Sequence, residues 1–68
     1  MNIYYNGRNT RVEISEIYHP VHLMVHARFD DGYENIFFTD VESGRWTEQD
    51  LGFTGLAGLI GEKYKSGA

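Results

Sequence analysis

Cysteine is absent from this chain. No disulfide can staple it, no thiolate can act as a nucleophile, and the common structural zinc sites are excluded. Proline occurs once, at Pro20, after a strand-like run that it is expected to end. No apolar run exceeds three residues, against the ~20 that a membrane-spanning helix requires. Basic residues are scarce: six Lys and Arg face ten Asp and Glu, for a net charge of −4. Most of the acids lie between residues 21 and 50, where only Arg28 and Arg45 offset them. Phosphate backbones and acidic membrane surfaces bind through clustered cations, so neither is an expected partner. Residues 1–6 lack both the basic and the apolar part of a signal peptide, and the expected address is the cytoplasm.

What remains is enough to fold. The 68 residues fit one domain, and 41% hydrophobic with 15% aromatic content argues against disorder. A chain this short buries only about 60% of the surface its unfolded form exposes, so stability is expected to be marginal.

Asp31-Gly32 lies between two alternating runs and reads as a hairpin turn. With those two residues as the loop, one face holds Leu23, Val25, Ala27, Phe29, Ile36 and Phe38, an expected core. The other holds His22, Met24, His26, Arg28, Asn35, Phe37 and Thr39. Asn6-Gly7 marks an earlier turn. A four-residue loop over 6–9 would set Ile3 against Val12, which favours it over a two-residue loop. The shift from Val12 and Ile14 to Ile17 calls for a bulge near Ser15 or Glu16. Glu42-Ser43-Gly44 is a third turn, followed by a short edge strand over 45–48 with Trp46 in the core.

The period then changes. Phe53, Leu56, Ala57, Ile60 and Tyr64 recur at helical spacing. This predicts a helix over 55–65, with Thr54 as N-cap, Lys63 and Lys65 at the cationic end, and Gly67 as the stop. The expected fold is α+β: a curved antiparallel meander of four or five strands, open-barrel-like, with one C-terminal helix packed on it.

Chemistry is thin. On a strand, His22 and His26 stand ~13 Å apart, too far to share an ion, and no metal is expected. Asp30 and Asp31 form a turn rather than a paired-carboxylate pocket. No serine sits in a nucleophile elbow, and the glycines match neither phosphate-binding spacing. No enzyme and no cofactor are expected.

Two surfaces stand out instead. One is the outer sheet face, with His22, Met24, His26, Arg28 and Phe37. The other is the back of the helix, where Gly55, Gly58 and Gly61 lie away from the sheet, with Gly55 and Gly58 the expected contact points. The expected function is a non-enzymatic protein-interaction module or small accessory subunit, binding a protein or another copy of itself. The alternative is a single-stranded nucleic-acid-binding domain that stacks bases on Tyr4, Tyr5, Tyr18 and Phe37 beside Arg8, Arg11, Arg28 and Arg45.

Overall fold

Asn6 and Gly7 both take positive φ, 53° and 78°, the geometry of a two-residue type I′ turn. The computed structural model, which describes residues 1–66, therefore pairs β1 (Asn2–Tyr5) with β2 (Arg8–Glu16) so that Ile3 faces Thr10. The expected four-residue loop is overturned. The backbone preference of Asn-Gly outweighs the gain of setting Ile3 against Val12. Ile3 still reaches the core, only 2% exposed.

β2 then pairs with β3 (Met24–Phe29) in one unbroken register, Val12 opposite Phe29 through Glu16 opposite Val25. The expected bulge does not form. Ile17 keeps the same register, donating its N–H to the Met24 carbonyl at 2.9 Å, and the phase shift places it on the outer face. Pro20 lies in the connection that follows, as expected.

The hairpin from β3 to β4 (Glu34–Thr39) differs by one residue from the sequence expectation. Its loop is Asp30-Asp31-Gly32, closed by Phe29 N–H to Tyr33 O at 2.8 Å and Gly32 N–H to Phe29 O at 3.0 Å. Gly32 sits at φ 97°, the left-handed position of a three-residue turn, and the Asp31 carboxylate accepts the Tyr33 N–H at 3.0 Å. Val25 now faces Phe37 rather than Phe38. Phe37 points inward and is fully buried, while Ile36 and Phe38 turn outward and are half-buried. Leu23, expected in the core row, is 54% exposed.

β5 (Trp46–Glu48) completes a five-stranded antiparallel sheet in meander order, curled into a half-barrel. Helix α1 (Gly55–Ser66) packs against both β5 and β1, the two edge strands, and so closes the open side. Thr54 caps it, its Oγ1 accepting the Ala57 N–H at 3.0 Å. Gly67, the expected stop, lies outside the described residues.

Leu56, Ala57 and Ile60 deliver the predicted apolar stripe to a core of Ile3, Val12, Val25, Ala27, Phe29, Phe37 and Trp46. Phe53 departs from that stripe and lies outside under the Arg45 guanidinium, 4.4 Å from the ring centroid. Gly61 also departs from expectation. It is buried, and a Cβ there would fall 2.0 Å from Trp46 Cδ1. The indole occupies the space a side chain would need, so this glycine has its explanation within the fold.

Candidate interaction surface

Strand alternation sends Met24, His26 and Arg28 to the convex outer face of β3, as expected. His22 joins them from the preceding connection. Its ring stands edge-on to Phe38 at 5.5 Å, and its Nδ1 bonds the Thr39 carbonyl. Phe37 is the correction: it belongs to the core, and the three-residue turn puts Ile36 and Phe38 on the outer face in its place. Cross-strand pairing brings Ile17 beside Met24, Met24 beside Phe38, and His26 beside Ile36. The result is a half-buried apolar strip, with Val21 of the connection more than half exposed beyond one end.

The other end is ionic. Arg28 holds Glu13 at 3.2 Å and lies opposite Glu34, which accepts from His26 Nε2 at 2.9 Å. These are exposed pairs worth at most ~1 kcal/mol each, so they set charge pattern more than stability. Gly55 and Gly58 stand apart on the helix, exposed, with no atom within 4 Å of a would-be Cβ. The seven expected contact residues thus divide into an outer-face group, a separate helix pair and one core residue.

Three of the four arginines gather at one end of the sheet, where Arg11 and Arg28 line a shallow pocket with Asp30, the carboxylate that also holds Arg8; Arg45 lies apart. Arg8 pairs with Asp30 at 3.0 Å, Arg28 with Glu13, and Arg45 covers Phe53 beside the far edge strand. Carboxylates at the turns serve the backbone. Asp40 accepts from Ser43 N–H and Oγ, each at 2.9 Å, and those bonds hold its carboxyl below the ordinary range. Among the described residues no three His, Cys, Asp or Glu side chains gather where they could hold a metal ion. An open groove of about 1050 Å³ runs beside Met1, β2 and the end of the helix, where the Tyr64 hydroxyl donates to Glu16.

Two features escaped the sequence reading. Glu48 is 2% exposed and carries the helix cap inward. Its carboxylate accepts from the Thr54 hydroxyl at 2.6 Å, from Asn35 Nδ2 at 3.2 Å and from the Tyr33 hydroxyl. Burial, and then the bond to Glu48, raise the Tyr33 pKa above its usual value. The clue was available, since an inward Trp46 obliges Glu48, two residues on, to point inward as well. The second feature is a tilted contact of His19 with His22, ring centroids 4.5 Å apart, formed across the bend at Pro20.

Fold and surface together define a small α+β domain with one sealed and one open sheet face. No protein-family model, no curated protein and no solved structure matches the chain.

Proposed function

We propose that the chain is a non-enzymatic protein-interaction module, a small accessory subunit that binds another protein through its outer sheet face. The observation that supports this reading is the strip of Ile17, Met24, Ile36 and Phe38, bordered by the exposed Val21 connection and by the Glu13–Arg28–Glu34 row. Apolar and aromatic side chains with a charged rim are the composition of an interface. The rim of this face carries Glu13 and Glu34, with Asp40 near His22 just beyond β4, against Arg28. The partner therefore presents an apolar centre with basic side chains around it. Single-stranded nucleic acid is less favoured, because Arg8 and Arg28 are held by carboxylates and Phe37 is buried.

A photo-crosslinking side chain placed at Ile36, and separately at Leu59 on the helix, tests the reading in the native cell. One defined protein adduct from position 36 is expected, with a yield reduced ~10-fold by Met24→Lys, the loss typical of a central contact. Adducts to nucleic acid, equal adducts from both positions, or no adduct would overturn it.

A further inference from the structure

The connection between β2 and β3 is held by one ring nitrogen. His19 Nδ1 receives two backbone N–H groups, Val21 and His22, each at 3.1 Å. An N–H can only donate, so Nδ1 must be the acceptor and cannot carry a proton. His22 has the opposite requirement: its Nδ1 bonds the Thr39 carbonyl oxygen, which can only accept, so that nitrogen must carry one. The two rings lie against each other, centroids 4.5 Å apart and planes tilted by 50°.

Imidazoles charge between about pH 8 and pH 5. A proton on His22 Nε2 leaves its bond to Thr39 intact, and the Asp40 carboxylate just beyond β4 attracts the charge. A proton on His19 Nδ1 removes both N–H acceptors at once. It also sets one cation against another whenever His22 is charged. Among the described residues, His19 and His22 face each other and Asp40 acts on His22; Tyr18, from the same connection, is exposed. His26 is engaged with Glu34 further along the face.

We propose that the His19–His22 turn is an acid-sensitive latch on the outer face. Each proton taken up by His19 favours an open connection over the closed one. Opening withdraws the His22 ring from Phe38 and frees Leu23, whose N–H is otherwise held by Thr39 Oγ1 at 3.0 Å. The apolar strip is then larger and more accessible in acid than at neutral pH. The structural part stands on the turn geometry alone; its consequence for partner binding rests on the outer face being the binding surface.

Amide NMR of the pure protein across this pH range tests the latch without any partner. The Val21 and His22 amide signals are expected to move along the titration curve of the His19 ring. Their protection from exchange is expected to fall ~10-fold as it charges. His19→Asn places an amide oxygen where Nδ1 lies and does not titrate, so the same two amides should stay fixed. Amides that ignore the His19 titration, or that move equally in the Asn variant, would overturn the latch. The wild-type titration decides the matter even if the variant folds poorly. Either failure leaves the crosslinking result at position 36 unaffected, so the two proposals fail separately.

Discussion

The two faces of the sheet carry similar side chains and end in different states. Inward, Val12, Val25, Ala27, Phe29 and Phe37 meet Leu56, Ala57 and Ile60 of α1, and every one is buried. The buried carboxylate there among the described residues, Glu48, has three side-chain donors. Outward, Met24, Ile36 and Phe38 meet one another and the His22 ring but no covering layer, and remain half-covered, while the charges pair at the surface. Strand alternation divides the residues between the faces, and the helix decides which face becomes core. Adjacent phenylalanines with the same chemistry are thereby given different work: Phe37 holds the fold together, and Phe38 is available to something else.

Substitution should separate these roles sharply. Phe37→Ala leaves a cavity in the sealed face and is expected to cost ~3–5 kcal/mol, enough to unfold much of the protein. Phe38→Ala, on the open face, should cost about 1 kcal/mol or less, because little of its surface contact is lost. Urea denaturation of the two variants measures both, and equal losses would break the comparison. Carboxylates sharpen it further. Glu48→Ala removes the shared acceptor of the half-buried Tyr33 and Thr54 hydroxyls and one acceptor of the Asn35 amide, and should cost ~2–3 kcal/mol. Glu34→Ala, which loses only an exposed pair, should cost under ~0.5 kcal/mol in the same measurement.

The helix repeats the contrast on a smaller scale. Gly61→Ala forces a methyl into the Trp46 indole and is expected to destabilise by ~1–3 kcal/mol. Gly58→Ala projects into open space and should stabilise by up to ~1 kcal/mol through helix propensity. Thermal melts of both give the sign directly. A destabilised Gly58→Ala would mean that the back of the helix is not free.

The smallest expected effect is alkaline. Tyr33 is raised by burial and its bond to Glu48, and Tyr64 by its bond to Glu16. A phenol whose folded pKa exceeds its unfolded value of about 10 contributes stability that is complete below that pH. That stability is lost as pH rises through the folded value. Stability should therefore decline above about pH 10, and Tyr33→Phe with Tyr64→Phe should flatten the decline, as denaturant midpoints across that range will show.

How much of this was legible before the coordinates varied from element to element. The helix was clear, because a 3.6-residue stripe, a Thr54 cap and terminal lysines agree with one another. The outward set on β3 was also clear, because simple alternation from Val25 to Phe29 fixes it. β4 was read in the wrong phase. Asp31-Gly32 fits a two-residue and a three-residue turn equally well, and both phases of Ile36-Phe37-Phe38 offer apolar side chains. The three-residue turn, with Gly32 at φ 97°, sets the phase that sends Phe37 into the core beneath the helix. The Asn6-Gly7 loop was misjudged for the reverse reason, because apolar pairing was weighted above turn chemistry. The inward direction of Glu48 follows from Trp46 two residues earlier, but its partners do not, because nothing local shows that a glutamate will find three donors from other parts of the chain.

Whether the inner face is sealed and the outer face open can be read directly with a soluble paramagnetic probe added to the NMR sample. The expected result is broadening of the Met24, Ile36 and Phe38 side-chain signals while those of Val25, Ala27 and Phe37 stay sharp. Broadening of Phe37 with Phe38 protected would place β4 in the opposite phase and contradict both the packing and the surface described for this protein.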